Sequence, residues 1–495
     1  MCRSKKENPL KPIILPMGVF FLALLVGTFI SFWKYGPYLD PDTIGYFKMI
    51  LGNQEDLGTL SPFYSFILSV FPFSRLSVFD RAMVSGILTF FLAFILLFKI
   101  SKKLNPNYKY YLFALGSALL SWWSFRVLGS AHADSHFYIL FLLWLYLFIW
   151  KQERSNKYFI LITCLSALMV WIKLNALFLI PLLSLWVLIS KEKRWIYVIT
   201  ATIISWLSYR WMLPENILDL HLSNQVVLQT NQTTPITLFY ENLSAWFQVS
   251  LGILLSDLVT QYLPVPLAFL FALSGIVLLL YYLVKFHVDH DQPIYKLLLI
   301  STVYSLFFLG FEQWIGYKEI NYRTLFPHLL VLSFAIWIYL IENRKKSLIL
   351  IIGFLMASYT LSGHWLIWQR NDVSSLIRAK NFDKSRQKES IERILAQNHQ
   401  QIFTDSPEKI MLSFLTTDVQ QIAPRNRFIE GKNYPLSKEE IGRESQKSIQ
   451  SLGNGSAIVV LFHPDEAAYK TYNIPGVKSI RENNMLIFYS DKLAQ

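Results

Sequence analysis

Eleven apolar runs, each near the length of a bilayer crossing, constrain this 495-residue chain more than any other feature. They lie roughly at 13–33, 78–98, 109–125, 134–150, 158–172, 174–189, 195–213, 262–284, 296–315, 324–341 and 347–366. A hydrocarbon layer about 30 Å thick asks for about 20 residues at a helical rise of about 1.5 Å. A hydrophobic share of 53% exceeds what a soluble core of this size uses. The fold class expected is therefore a polytopic α-helical membrane protein.

Charge gives an orientation. The tail up to Lys11 and the segments 99–109, 151–157, 191–194, 285–296 and 342–346 hold 19 lysines and arginines. The alternate segments 34–77, 126–133, 173, 214–261 and 316–323 hold seven. Basic residues collect in cytoplasmic connections, so the amino terminus is expected inside and, with an odd number of spans, the carboxyl terminus outside. The first run is 21 residues long and has no small-x-small cleavage site before Trp33-Lys34, which reads as a retained helix rather than a removed signal. The net charge of +13 follows largely from the inner-face bias, so nucleic acid is a poor inference. With only Cys2 and Cys164, a disulfide scaffold or thiolate metal cluster is not expected.

Outside the bilayer, Ile44, Phe47 and Leu51 share one face of a short helix expected over Thr43–Leu51, lying along the membrane surface. Phe63–Phe73 reads as a shaped, interface-dipping loop after Gly58 and Pro62, and Leu238–Leu255 as a helix on the membrane or lining a cavity. Asn231-Gln232-Thr233 and Asn242-Leu243-Ser244 are glycosylation sequons, a weak signal. The composition turns soluble at about residue 367, so the chain divides into 1–366, transmembrane, and 367–495, a small extracytoplasmic α/β domain. That domain is expected to carry a helix at Ser385–Gln397, a helical segment at Ser437–Leu452 and strands at Ile402-Phe403, Ile410–Phe414, Ala457–Phe462 and Met485–Tyr489.

The polar residues with chemical potential gather at outer helix ends. Asp40 and Asp42 flank Pro41 just beyond the first span. Asp42 reads either as the cap of the surface helix or as a general base that takes a proton from an acceptor hydroxyl or amine. Asp40 would orient Asp42, bind a divalent ion with it, or face water. Asp134 opens the fourth span, and His132 and His136 are four apart, a spacing that allows one helical face but matches no strong zinc signature. Beyond the first outer loop the basic groups on this side are Arg126, Lys173, Lys318 and Arg323. Arginine can meet a phosphate leaving group with paired contacts, and Arg323 at the outer end of a span is the best placed. The alternative is an arginine that only fixes the depth of its helix.

This arrangement resembles the GT-C superfamily of integral-membrane glycosyltransferases, especially bacterial proteins similar to dolichyl-phosphate-mannose protein mannosyltransferases. The resemblance rests on Asp42 followed by Tyr46, then Ser61-Pro62-Phe63-Tyr64, on Asp134, on Lys173, on Arg323 before Phe326-Pro327, and on the stretch Gln401–Ile410. Asp40-Pro41-Asp42 departs from the adjacent acidic pair usual there, and Lys173 stands where arginine is common. The resemblance implies a sugar donor carried on a polyprenyl phosphate, an envelope acceptor (lipid, glycan or protein) and transfer with inversion at the extracytoplasmic face of a bacterial inner membrane. It implies Asp42 as base, assisted by Asp40 and Asp134, with Arg323, Lys173 and Arg126 toward the lipid phosphate and Tyr46, Tyr64 and Lys318 positioning substrate. If a divalent ion takes part, Asp40, Asp134 and His132 are its candidate ligands; no nucleotide cofactor is expected. A lipid-linked oligosaccharide ligase or polymerase and a lipid-linked glycan flippase are the competing functions, and a purely structural envelope protein is the third.

Overall fold

The computed structural model describes residues 11–37, 41–50, 62–70, 76–104, 108–131, 133–150, 155–212, 235–252, 263–287, 291–315, 320–369, 382, 385–397, 401–405, 410, 413–414, 417–422, 426–429, 432–435, 438–462, 470–483 and 485–490. Asp40, His132, Lys318, Gly58 and the first sequon lie outside them, as does the side chain of Asp42.

The helices in chain order are α1 (Ile14–Tyr35), α2 (Pro41–Ile50), α3 (Pro62–Val70), α4 (Val78–Leu104), α5 (Lys109–Leu119), α6 (Trp122–Leu128), α7 (Ala133–Leu145), α8 (Asn156–Ile172), α9 (Leu179–Ser190) and α10 (Trp195–Met212). They continue with α11 (Pro235–Leu251), α12 (Val265–Phe286), α13 (Pro293–Ile315), α14 (Tyr322–Glu342), α15 (Lys346–Gln369), α16 (Arg386–Leu395) and α17 (Lys438–Gly453). Two compact units emerge: residues 1–34 with 84–373, and residues 35–83 with 374–495.

Among the described residues, seven helices are long and apolar enough to cross a membrane. The run expected as one span at 109–125 is instead two helices, α5 and α6, bent by 71°. The runs at 158–213 form shorter apolar helices. The bend has a tertiary cause. Ser121 leaves helical geometry, and the first amide of α6, Trp122 N, donates to Thr360 Oγ1 of α15 at 3.0 Å. The Trp122 ring stacks on Phe125 and stands edge-on to His364, with centroids 6.0 and 5.6 Å away. Gly363 makes room for that ring, since a Cβ there would stand 2.5 Å from the indole. Gly363→Ala is expected to destabilise the protein by about 1–3 kcal/mol through overpacking, read as a lower thermal midpoint in detergent. Wild-type stability in that variant would mean that α6 yields.

In the second unit, residues 35–83 place α2 beside α3. Tyr46 and Tyr64 are buried edge-to-face at 4.8 Å, and Ser65 Oγ donates to the Tyr46 carbonyl at 3.1 Å. Helix α2 starts at Pro41, a residue suited to a first helical position because its missing N–H would have had no partner there. Asp42 therefore sits inside the first turn of α2 rather than at the cap before it. The stretch read as a loop at Phe63–Phe73 is helical over residues 63–70, within α3.

Residues 401–490 of the second unit carry a five-stranded sheet in the order β2-β1-β5-β7-β6, from β1 (Gln401–Thr404), β2 (Asp418–Gln421), β5 (Ala457–Leu461), β6 (Val477–Glu482) and β7 (Met485–Ser490). A hairpin of β3 (Asn426–Ile429) and β4 (Lys432–Pro435) stands apart from it. Strand β1 lies parallel to β2 and β5, whereas β7 runs antiparallel to β5 and β6. The central strands read IFT, AIVVL and MLIF and are buried on both faces. Helix α16 packs Ile391 and Ile394 against one face, and α17 places Leu452 against the other. The Asp405 carboxylate, just past β1, accepts the Phe462 N–H at 2.9 Å and so ties the ends of the parallel pair β1 and β5. Burial pushes the Tyr472 phenol up from its ordinary pKa. Of the stretch Ile410–Phe414, expected as a strand, the described residues 410, 413 and 414 are not in a strand, and Phe414 N donates to the Ile410 carbonyl at 3.1 Å, a helical i, i+4 bond.

Candidate active site

Asp134 lies in the first turn of α7, 2% exposed. A carboxylate is favoured there by the exposed amides of the helix start, but burying it requires partners. Two cations supply them. Lys173 Nζ donates to Oδ1, and Arg323 Nε donates to Oδ2 at 2.8 Å. The two cationic side chains are 18% and 28% exposed, so the carboxylate is enclosed while its partners reach the surface of the cluster.

Each partner is set by local sequence. Lys173 interrupts the apolar run between α8 and a 3₁₀ turn at Leu174–Phe178, with φ −154° and ψ 128°, and this extended residue turns the chain out of α8. Arg323 belongs to the first turn of α14. The Asn321 side chain accepts from Arg323 N at 2.9 Å and Thr324 N at 3.1 Å, and Thr324 Oγ1 in return accepts from Asn321 N at 3.1 Å. This reciprocal box satisfies the opening amides of α14 and fixes the backbone from which Arg323 extends. Asn321→Ala is expected to cost about 1 kcal/mol of stability and to lower turnover with it. Unchanged thermal midpoint and turnover would show that packing alone holds the helix start.

Next to Arg323, Tyr322 carries the Arg126 guanidinium over its ring at 4.2 Å, so the end of α6 meets the start of α14. Below the charges, Asn175 Nδ2 donates to Tyr304 Oη and to the Thr324 carbonyl, both at 3.3 Å, and Tyr304 Oη donates to the same carbonyl. Asn175, Tyr304, Asn321 and Thr324 were not among the residues singled out from the sequence. Asn175 and Asn321 stand two positions from Lys173 and Arg323, whereas nothing marks Tyr304 within its apolar span.

Of the residues singled out, the structure thus gathers Asp134, Lys173, Arg323 and Arg126 on the starts of α7 and α14, the end of α8 and the end of α6. Tyr46 and Tyr64 belong to the other unit, where they clamp α2 to α3 and so fix the backbone that carries Asp42. His136 hydrogen-bonds Ser85 Oγ through Nε2 at 3.1 Å and Ser135 Oγ through Nδ1 at 3.3 Å. Among the described residues no three His, Cys, Asp or Glu side chains are grouped to hold a metal ion. Each oxygen of Asp134 faces a cation, a donor arrangement that does not fit a divalent ion there. The second sequon is also not placed for modification, since Asn242 is buried within α11.

The cluster can hold an anion. Three cations and one carboxylate converge on helix ends, and the carboxylate fixes two of the cations. No protein-family model and no curated protein matches the chain. Among solved structures, the crystal structure of ArnT from Cupriavidus metallidurans in the apo state is similar over 96% of this chain and 98% of that one, with a TM-score of 0.51 and 10% sequence identity. The chain therefore shares the overall fold of that structure.

Proposed function

We propose that the protein is a glycosyltransferase that moves a sugar from a polyprenyl-phosphate donor to an envelope acceptor at the extracytoplasmic face of a bacterial inner membrane. The observation that carries this reading is the seating of Lys173 and Arg323 on one buried carboxylate, with Arg126 on Tyr322 alongside, in a GT-C-like fold. The bias of lysine and arginine among the connecting segments supports an amino terminus in the cytoplasm and this cluster on the outer side.

In the reaction, the acceptor hydroxyl or amine attacks the anomeric carbon from the face opposite the phosphate, and the configuration inverts. The bond between that carbon and the phosphate oxygen breaks with its electron pair passing to the phosphate. Arg323 and Lys173 meet the charge that develops there, and donors already fixed in place do so without reorganising. Asp134 acts as a positioning residue, since both its oxygens are directed at the cations it holds. Asp42 takes the acceptor proton.

The test is transfer of radiolabel by the purified, reconstituted protein from three sources: a panel of single-sugar polyprenyl phosphates, lipid-linked oligosaccharides, and no donor. Label reaching an envelope extract from a single-sugar donor is the expected result. Transfer only from oligosaccharide donors would make the protein a ligase, and movement of labelled lipid across vesicles without transfer would make it a flippase.

A further inference from the structure

The first unit holds a second feature, remote from the charged cluster along α14. A cavity of about 360 Å³ opens among α11, α12, α13 and α14. Its walls are almost wholly apolar, formed by residues such as Trp246, Leu278, Tyr282, Leu298, Ile336 and Tyr339. On α14 the lining runs from Leu332 to Leu340, beginning nine residues past Arg323, which at about 1.5 Å per residue places it roughly 13 to 26 Å farther along the helix. Gly275 of α12 lines it opposite Trp246, and a Cβ there would meet that ring at an ordinary contact distance of 3.7 Å, so a longer side chain would project into the recess. Helix α12 is also poorly covered elsewhere, with Val277, Leu280, Tyr281 and Val284 exposed. In a bilayer an apolar recess beside such a helix is filled by hydrocarbon.

The chemistry beside the lining residues Phe286, Ile294 and Leu340 names the hydrocarbon's source. There α12 ends, α13 begins and α14 turns into α15, and the described residues of these connections carry Lys285, Lys296, Arg344, Lys345 and Lys346 against Asp291 and Glu342. Lys285 precedes the lining residue Phe286, and its ammonium lies 5.7 Å from the ring of Tyr282, another lining residue. Lys296, between the lining residues Ile294 and Leu298, is turned away from the recess, its buried ammonium lying 3.5 Å from Asp291 and 5.4 Å from the Trp186 ring of α9, so the collar rests on Lys285 and the α14–α15 connection. Basic side chains where transmembrane helices meet the interface attract anionic head groups. A basic collar continuous with an apolar recess combines the two halves of a phospholipid site.

We propose that this groove is a binding site for an anionic phospholipid of the leaflet opposite the charged cluster, with one acyl chain in the recess and the phosphate at Lys285 and its neighbours. The site lies away from the cluster assigned to the donor phosphate and does not depend on the reaction proposed for it. It makes the packing of α12 and α11 on α13 and α14 dependent on membrane composition, because a ligand that binds only the folded form stabilises it.

The experiment uses the full-length protein in nanodiscs of equimolar phosphatidylglycerol and phosphatidylcholine, released into a mass spectrometer that counts retained lipids, with thermal unfolding recorded in parallel. Wild type is expected to retain phosphatidylglycerol over phosphatidylcholine by about tenfold. Lys285→Glu is expected to erase that preference, and Gly275→Leu, which fills the recess, to abolish retention of either lipid while the protein still unfolds cooperatively. Equal retention of the two lipids by wild type would overturn the proposal whatever the variants do. So would displacement of retained phosphatidylglycerol by an equal concentration of polyprenyl phosphate, which would make the groove the donor's tail site.

Discussion

Asp134→Asn is expected to lose about 10²-fold or more in transfer, the scale on which fixed charge stabilisation acts, and at the same time to destabilise the protein. Asparagine keeps the shape and removes the charge, so Lys173 and Arg323 are left facing each other across a neutral amide. Breaking a buried ion pair by removing one partner costs about 3–5 kcal/mol, and the partial exposure of both cations, 18% and 28%, places this case at or below the low end. The double variant Asp134→Asn with Lys173→Met separates the two effects. It removes one cation together with the carboxylate, so stability should return by about 1–3 kcal/mol as a coupling term, while transfer stays low because the phosphate has lost a cation. Thermal unfolding and initial rates on the same preparations decide it. Recovery of transfer in the double variant would show that the cluster is a structural brace, and the phosphate role would have to move elsewhere.

The sequence and the structure agree where one physical signal dominates. Apolar runs of span length are readable because hydrocarbon leaves a backbone few alternatives, and helices occupy every such run. What composition does not record is the bend between α5 and α6, since Leu120 and Ser121 look like any apolar run and the break depends on Thr360, 238 positions away from Trp122. In the sheet, the interior strands β1, β5 and β7 announce themselves by continuous apolar residues. The edge strands β2 and β6, reading DVQQ and VKSIRE, do not, because an edge is only partly covered and its polar residues serve to discourage pairing with other chains. Ile410 and Phe414 misled for a related reason: both are buried against the sheet, but their spacing of four is helical and their apolar character reports the core rather than a strand.

The candidate site was legible as a set of residues and not as a geometry. Arg126, Lys173 and Arg323 stand out because basic residues are scarce in the segments read as outer, and a cation tolerated at such a place needs a reason. That Asp134 joins two of them, across 39 and 189 positions, follows only from the packing of α7, α8 and α14. Neutral groups gave less warning still. Tyr304 carries no charge and sits in an apolar span, yet with Asn175 it fixes the Thr324 carbonyl beneath the cluster.

Asp42→Asn is expected to abolish transfer, by about 10²–10⁴-fold, the contribution typical of a positioned general base. Its stability should hardly change. Because α2 begins at Pro41, Asp42 occupies the first turn, where the loss of an anion near a helix start costs about 0.3–1 kcal/mol. The clamp between Tyr46 and Tyr64 and the bond from Ser65 to the Tyr46 carbonyl do not involve its carboxylate, so α2 keeps its seat on α3. The two readings of this aspartate therefore part cleanly. A helix-start role predicts a small fall in thermal midpoint with transfer reduced only in proportion to the folded fraction, and Asp42→Ser, which preserves a side-chain oxygen able to accept from nearby amides, would then behave like wild type. A base predicts that serine fails as badly as asparagine, since a hydroxyl at neutral pH cannot take the acceptor's proton, and that Asp42→Glu keeps measurable transfer. Initial rates for the three variants, normalised to folded protein, distinguish these outcomes, and an active serine variant would remove Asp42 from the chemistry.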